Sequence, residues 1–142
     1  MIRISKAAEY ALIAVQQIAA EPNRLMSARD LSERSSLPAG LLAKILQRLS
    51  AAGILASEQG AAGGYRLVRD PDTVSFLELS QAVEGRLRVA ACDVNGVGSC
   101  VRSDSCTVAG PVHELGMKIV GLLSDTSVGT LLWPDRRQGA NV

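Results

Sequence analysis

The stretch LPAGLLAKILQRLSAAGILASEQGAAGGYRL (residues 37–67) decides the fold of this chain. In its first half, apolar side chains recur at steps of three and four residues, which is the period of a helix with one buried face. Pro38 suits the first turn of such a helix, and Gly53 supplies its stop. The pattern predicts a helix whose buried face consists of Leu41, Leu42, Ile45, Leu46 and Leu49.

The second half of the stretch predicts a β-hairpin. Residues 54–57 and 65–68 are the predicted strands, and the turn at 60–64 is rich in glycine, which tolerates positive φ. The glycines would let this backbone approach another surface, and Arg66 and Arg69 would supply charge for phosphate groups. A hairpin directly after a helix favours the wing of a winged helix, with a plain surface hairpin as the alternative.

Two further helices are predicted before residue 37. Ser5 can cap a helix from Lys6 to about Ala20, with an apolar stripe at three- and four-residue steps. Ser27, with Asp30 three residues later, forms an approximate capping box for a short second helix. Two helices joined by a tight turn form a helix–turn–helix, and the hairpin extends this to a winged helix–turn–helix. The predicted stripe of the first helix is Ala8, Leu12, Val15 and Ala19.

The second half of the chain adds two predicted helices. Ser75 and Glu78 form a capping box for a helix that runs to about Glu84 and stops at Gly85. Residues 92–110 lack helical periodicity and are predicted to form a loop. A longer helix follows from Pro111 to about residue 124. Its apolar side suits a dimer contact, with packing against its own domain as the alternative, and consists of Val112, Leu115, Ile119, Leu122 and Leu123.

The fold class expected is therefore mainly α with a small β-hairpin. We expect a winged helix–turn–helix at 1–72, a sensor loop with dimerisation helices at 73–132 and a frayed tail at 133–142. Hydrophobic residues make up 47% of the chain but aromatic residues only 3%, so its core must be built from Ala, Leu, Ile and Val. Residues 1–70 hold nine Lys and Arg against six Asp and Glu, which weakly favours a nucleic-acid partner for this half.

Composition also excludes several classes of protein. The first ten residues contain three charges and no apolar run, so neither a signal peptide nor a membrane span is expected, and the predicted location is the cytoplasm. The single histidine, with no H-E-x-x-H motif, phosphate-binding loop or recognisable Ser/His/Asp set, argues against an enzyme.

The three cysteines are Cys92, Cys100 and Cys106, spaced C-x7-C-x5-C. An odd number without an export signal does not suit a disulfide framework. Thiolates are the soft ligands of iron–sulfur clusters, and a loop with Gly96 and Gly98 can fold three of them around one cluster. Structural zinc is less favoured because paired C-x2-C knuckles are absent. A cluster-free thiol switch, in which two cysteines oxidise to a disulfide, remains the alternative.

The chain resembles the iron–sulfur-dependent winged-helix transcription regulators, with branches similar to IscR, NsrR and RirA. The resemblance rests on residues 37–85, above all on the wing pattern G-x-x-G-G-Y-x-L at 60–67 followed by the cysteine trio. The opening ISKAAEYAL (4–12) and the late SDTSVGTLL (124–132) also look like the family's ends. The cysteine spacing is most similar to that of the iron-sensing RirA-like branch.

The resemblance implies a homodimer that binds a pseudo-palindromic operator on double-stranded DNA, usually as a repressor, with its recognition helices in successive major grooves. At the positions from which the family reads bases, this chain has few polar residues. Phosphate contacts and DNA shape are therefore expected to carry more of the affinity. A protein-interaction module on the same scaffold is the rival reading. The candidate DNA-binding residues are Ala39, Gly40, Leu41, Ala43, Lys44, Arg48, Gln59, Gly63, Gly64 and Arg66.

The resemblance also implies a fourth cluster ligand. IscR-like proteins place a histidine three residues after the last cysteine, where this chain has Ala109, which argues against a 2Fe–2S site of that type. Glu9 stands where the nitric-oxide sensors supply an aspartate from the partner's first helix, and we expect it to complete a 4Fe–4S site. An open iron site and His113 are the alternatives. We expect the intact cluster to hold the cysteine loop against the partner's first helix, so that its loss changes operator affinity.

Overall fold

The computed structural model describes residues 3–89 and 105–136, and the structural statements below concern these residues. Three helices open the chain: α1 (Lys6–Ala20), α2 (Ala28–Ser35) and α3 (Ala39–Ala51). A hairpin of β1 (Leu55–Glu58) and β2 (Gly64–Leu67) follows. A 3-10 turn at Pro71–Thr73 leads to α4 (Phe76–Glu84), and α5 (Ala109–Asp125) and α6 (Val128–Leu132) complete the fold. The predicted class, mainly helical with a small hairpin, is confirmed.

Serine side chains cap the helices where the sequence predicts them. The Ser5 hydroxyl accepts from the Ala8 N–H at 3.1 Å. At α2 the capping box is complete: the Ser27 hydroxyl accepts from the Asp30 N–H at 3.1 Å, and the Ser27 N–H donates to the Asp30 carboxylate at 2.9 Å. At α4 only half of the predicted box forms. The Ser75 hydroxyl accepts from the Glu78 N–H, but the Glu78 carboxylate pairs with an arginine instead.

The buried faces of α1 and α3 differ in detail from the expected ones. Pro38 is the N-cap of α3 and not part of its first turn. Leu41 was wrongly assigned to the buried face, because its side chain is 38% exposed while the other four predicted residues are buried. In α1 the stripe is rotated slightly: Leu12 and Ala19 are only half-buried. The buried residues of α1 are Ala8, Ala11, Ala14, Val15 and Ile18.

The hairpin is antiparallel, and its register pairs Leu55 with Leu67 and Glu58 with Gly64. Both strands are displaced by one residue from the predicted ranges, toward the turn. The returning strand also pairs with the chain between α1 and α2: the Met26 N–H donates to the Tyr65 carbonyl at 3.1 Å, and the Tyr65 N–H donates to the Met26 carbonyl at 2.9 Å. The segment at Met26 thus pairs with the hairpin as well and holds the wing to the helix–turn–helix.

The C-terminal segments pack back onto the first half of the chain. α5 begins at Ala109, two residues before its predicted start. The chain after α5 forms a bridge to the entrance of α4, where the Phe76 N–H donates to the Thr126 carbonyl at 2.7 Å. The short α6, which sequence analysis did not predict, is capped by Ser127. At the start of the tail that was expected to fray, a 3-10 turn at 134–136 places Arg136 over the Trp133 ring, and residues 137–142 lie outside the described residues.

One hydrophobic core joins α1, α2, α3 and the hairpin to α4 and α6 across residue 72. The predicted boundary at residue 72 therefore separates elements that share one core. It stays a prediction about which part of the chain binds DNA and which part senses. Within the described ranges, no helix is long and apolar enough to cross a membrane.

Candidate nucleic-acid interface and cysteine site

The start of α3 presents a thin, apolar surface. Ala39, Gly40 and Leu41 are exposed, and Ala43 is half-buried. No side chain caps this end of the helix, because its N-cap is Pro38. Lys44, one turn further along, is exposed and makes no ion pair among the residues that the structure describes. The first two turns of α3 therefore offer one cation on a surface of small or branched apolar side chains.

Arg48 serves the fold in a way that sequence analysis did not anticipate. Its guanidinium donates to the carbonyl oxygen of Val83 at 2.5 Å, and Val83 lies in the last turn of α4. The Arg48 side chain is exposed, and its guanidinium keeps further N–H donors, so the bond to Val83 does not prevent a phosphate contact. Arg48 therefore links α3 to α4, and its contact with DNA stays a prediction.

The wing region has two arginines: Arg66 is exposed, and Arg69 is bonded to other groups of the protein. Arg66 lies 48% exposed, with its Nε 3.4 Å from a Glu58 carboxylate oxygen. Such an exposed pair is weak and can open for a phosphate. Arg69, in contrast, pairs with Glu78 and also donates to the Thr73 carbonyl at 2.8 Å. The predicted phosphate contact by Arg69 is therefore replaced by a bond that fastens the hairpin to α4.

Two wing glycines are required by close approach inside the protein. A Cβ atom on Gly64 would lie 2.7–2.9 Å from three backbone atoms of Met26, where the returning strand pairs with the segment before α2. A Cβ on Gly63 would collide with the carbonyl oxygen of Glu58 across the turn. Both glycines are therefore needed inside the protein, and their contact with an external surface stays a prediction. Gln59, at the start of the turn, is exposed.

An ion network holds α2 against the end of α1. Glu21 pairs with Arg34 and, at 3.3 Å, with Arg24. The hydrogen bond from Arg34 is the main cause that lowers the pKa of Glu21, and the same pairing raises the pKa of Arg34. The Ser27 N–H, more than any neighbouring charge, lowers the pKa of Asp30. These contacts join the end of α1 to α2.

Sequence analysis missed a cation next to the wing. Arg29, near the start of α2, has a side chain 87% exposed and makes only an exposed pair with Glu33 at 3.1 Å. It lines one depression together with the wing turn residues Ala61, Ala62 and Gly63. The available signal was its place in the first turn of a capped helix, opposite the buried Leu31. Lys44, Arg66 and Arg29 are thus three exposed cations, on α3, the wing and α2.

Of the cysteine trio, only Cys106 lies in the described part of the chain. It is half-buried and stands three residues before α5. Cys92 and Cys100 fall outside the described residues, so the ligand set stays a prediction. Glu9 is exposed in the first turn of α1, and His113 is exposed in α5 one turn beyond Ala109. In residues 3–89 and 105–136, no three His, Cys, Asp or Glu side chains come together as a metal site.

α5 packs by one side only. Gly116 is its single buried residue, and Leu123 is half-buried against the core. One flank of α5, about 100° around the helix from Gly116, is apolar and exposed, with Leu115 at 58% and Leu122 at 66% exposure. These two leucines are seven residues apart and so share one flank, which is the kind of stripe that a second helix covers. The exposed residues on or next to α5 are Val108, Val112, Leu115, Met117 and Leu122.

Comparison with known proteins agrees with this geometry. The profile of the Rrf2 family, iron-dependent transcriptional regulators, matches residues 4–133. The HTH-type transcriptional regulator IscR of Klebsiella pneumoniae (strain 342) is 26% identical over 132 residues, which cover 92% of this chain and 80% of that protein.

Solved structures show the same fold. The global cysteine regulator CymR of B. subtilis superposes with a TM-score of 0.68 at 20% identity, over 93% of this chain and 97% of that one. The IscR of T. potens gives a TM-score of 0.67 at 21% identity, over 99% and 92%. Because the family profile spans almost the whole sequence and the winged helix is present, this chain belongs to the Rrf2 family and is a DNA-binding transcription regulator.

Proposed function

We propose that this regulator is iron–sulfur-dependent and represses transcription as a homodimer. One observation carries the proposal: the segment that holds the cysteines leaves α4, which is bonded to the recognition helix, and enters α5, whose apolar side is exposed. A change at the cysteines would therefore reach the DNA-reading helix through α4 and the Arg48–Val83 hydrogen bond, and the dimer contact through α5.

The proposed DNA surface consists of the start of α3, the wing turn and the cations around them. Lys44, Arg66 and Arg29 would contact phosphate groups, while Gln59 would reach the groove beside the wing. Gly63 and Gly64 would contribute through the shape of the wing. Few polar side chains at the start of α3 favour a large share of affinity from phosphate contacts and DNA shape. Ala39, Gly40 and Leu41 would lie closest to the bases.

The exposed side of α5 supports the homodimer. A two-fold arrangement of two α5 helices would cover Leu115 and Leu122 of both copies and place two α3 helices for a pseudo-palindromic operator. Each copy alone leaves these side chains in water, and burying them contributes about 25 cal/mol per Å² of apolar surface.

The cofactor we propose is an iron–sulfur cluster held by Cys92, Cys100 and Cys106. Three thiolates fit the chemistry of a cluster, and the lack of histidine at Ala109 favours a 4Fe–4S over a 2Fe–2S group. Glu9 from α1 of the second copy is the proposed fourth ligand, since its carboxylate is exposed. When bound, the cluster supplies iron that reacts with nitric oxide or oxygen and that is lost when iron is scarce.

The coupling that we propose runs through this chain's own contacts. Ligation by Cys106 would fix the start of α5, and ligation by Cys92 would fix the segment that follows α4. Arg48 would transmit the position of α4 to α3 through the Val83 carbonyl. Release of the cysteines would free α4 to shift, and the separation of the two α3 helices would change with it.

The test is anaerobic purification of wild type, Cys106→Ala and Glu9→Gln, followed by iron and acid-labile sulfide analysis. The proposal predicts about four irons and four sulfides per wild-type chain, loss of both in Cys106→Ala, and a shorter cluster lifetime in Glu9→Gln. Wild-type protein without iron or sulfide, even after reconstitution, would contradict the proposal. Unchanged cluster lifetime in Glu9→Gln would remove Glu9 alone from the ligand set.

A cluster-free thiol switch is the second candidate. One structural relative is the oxidized form of the CymR of Staphylococcus aureus, with a TM-score of 0.65 at 22% identity over 92% of this chain and 96% of that one. Under this reading, two cysteines would form a disulfide under oxidant and no iron would be needed. Thiol counts before and after peroxide, in protein with no bound iron, distinguish the two: operator affinity that follows the thiol count supports the switch.

A further inference from the structure

We propose that the start of α3 reads DNA through methyl groups: the Leu41 side chain contacts the 5-methyl group of thymine in the major groove. The inference rests on the proposed DNA surface and deepens it by naming what is read. Thymine is the base that presents a methyl group there, and an apolar side chain is its ordinary partner.

The first observation is the exposure of Leu41. Four neighbouring apolar residues of α3 are buried in the core at 1% exposure or less, whereas Leu41 keeps 38% of its surface in water. A single exposed leucine is common on protein surfaces. This one is informative because it lies in the first turn of α3, inside the proposed DNA surface, where a thymine methyl group would cover it. On α3, Leu41 lies three residues before Lys44, which places the apolar group one turn from the exposed cation.

The second observation concerns Gly40. A Cβ on Gly40 would meet nothing within 4 Å, and its φ is not in the left-handed region. Neither the fold of the backbone nor the packing of the chain therefore requires glycine there, although glycine is a poor helix former. Close approach of DNA to the first turn of α3 would account for it. With Ala39 and Ala43 beside it, Gly40 keeps the first turn thin enough for α3 to sit deep against base edges.

The two observations limit the partner chemistry. A phosphate backbone would select polar or charged side chains in this turn, and the turn has none. A groove floor with methyl groups suits Leu41, while Lys44 can reach the phosphates at the groove wall. The expected half-site therefore contains at least one thymine at the position that faces Leu41.

The experiment begins with selection of an operator from a random duplex library, using the reconstituted and the metal-free dimer. Deoxyuridine then replaces thymidine at single positions of each half-site, which removes one methyl group and keeps base pairing. For wild type we expect about a fourfold loss of affinity per methyl group at one position, the change that burial of one such group produces. Leu41→Ala is expected to bind the thymidine and deoxyuridine operators equally.

Two further variants separate methyl reading from general effects. Lys44→Ala should weaken binding to both operators by the same factor and keep the fourfold difference. Gly40→Ala should weaken operator binding while the midpoint of thermal unfolding stays the same or rises. Circular dichroism checks that Leu41→Ala is folded, and Leu41→Met serves as a second variant that keeps apolar contact and methyl dependence.

The outcomes are distinguishable. An operator that is bound equally well with deoxyuridine at every position overturns methyl reading and leaves the DNA-binding function intact. A methyl effect that persists in Leu41→Ala also overturns the role of Leu41. Selection that yields no operator with either form overturns the proposed DNA surface itself, and this inference with it.

Discussion

The helix–turn–helix with its wing differs from the α5 helix in how fully its helix ends are capped and its apolar side chains are buried within one chain. In the first region, serine side chains cap α1 and α2, and the core residues of α3 are at most 1% exposed. α5 has no side-chain cap at its start, buries only Gly116, and leaves Leu115 and Leu122 more than half exposed. In the first region the core side chains are covered within one chain, whereas the exposed leucines of α5 are left for a partner surface to cover.

From this difference we infer that the first region reads DNA and that α5 controls the reading. A rigid, capped unit keeps α3 at a fixed angle to the wing, which a base-reading surface needs. A helix that packs on one side only can be moved or completed by another component. We infer that the second copy and the cysteine ligands complete α5, and that the first region responds as one body.

The largest effect is expected from a charge on the exposed side of α5. Leu115→Glu would bury a carboxylate in the proposed dimer contact, and we expect monomers and a loss of operator affinity of about 100-fold or more, since the two half-sites would no longer be linked. Sedimentation velocity measures the oligomeric state. Glu114→Ala is the matched control on the neighbouring exposed position. A dimeric Leu115→Glu would place the dimer contact elsewhere.

A smaller but clear effect is expected inside the first region. Gly64→Ala would press a Cβ against the Met26 backbone at 2.7 Å, and we expect a loss of about 1–3 kcal/mol in the free energy of unfolding. Urea denaturation measures this loss. Gly40→Ala is the control, because its Cβ meets open space. Equal stability of the two variants would mean that the wing is not held against Met26.

The hydrogen bond between α3 and α4 can be removed without removing the bulk of the side chain. Arg48→Met keeps the alkyl chain but loses the donor to Val83, and we expect a cost of about 1 kcal/mol in unfolding. The coupling predicts in addition that the ratio of operator affinities between cluster-loaded and cluster-free protein falls toward one. Fluorescence anisotropy with both forms measures the ratio. If stability drops but the ratio stays at the wild-type value, Arg48 is structural only.

The smallest effect is expected at the capping box of α2. The pKa of Asp30 is lowered in the folded protein, chiefly by the Ser27 N–H, so its contribution to stability is present above its unfolded pKa, about 4, and is lost as the pH falls through the folded value. Asp30→Asn keeps an oxygen that can accept the Ser27 N–H but loses the charge near the start of α2, so it should cost about 0.5 kcal/mol at neutral pH and flatten the decline in stability below pH 4. Thermal unfolding from pH 3 to 7 measures both. If stability fell with pH equally steeply in Asp30→Asn and in wild type, the decline would be due to other carboxylates such as Glu21.

Local signals predicted the first region well. The caps at Ser5 and Ser27 and the glycine-rich turn act over a few residues, so the sequence contains all the information they need. The engagement of Arg48 by Val83 and of Arg69 by Glu78 joins residues from different elements, and only the packed fold reveals such pairs. Gly64 was recognised as a close-approach residue, but the surface that it approaches belongs to the same chain.

The segments that follow α5 were harder to predict for a physical reason. The short helix at Val128–Leu132 has too few residues for a periodic pattern, and it is stabilised by bonds such as that from the Val128 N–H to the Val74 carbonyl at 2.8 Å. Trp133 was assigned to a frayed tail because the residues that line one depression with it, at the end of α1 and of the wing, lie far away in sequence.

The most direct test of the account is the operator affinity of one preparation measured before and after anaerobic removal of iron by a chelator. The account predicts at least a tenfold change in affinity, equivalent to about 1.4 kcal/mol, which is recovered when the cluster is rebuilt and which is absent in Cys106→Ala. Equal affinities of the loaded and stripped dimers, with the cluster present at full occupancy in the first, would contradict it.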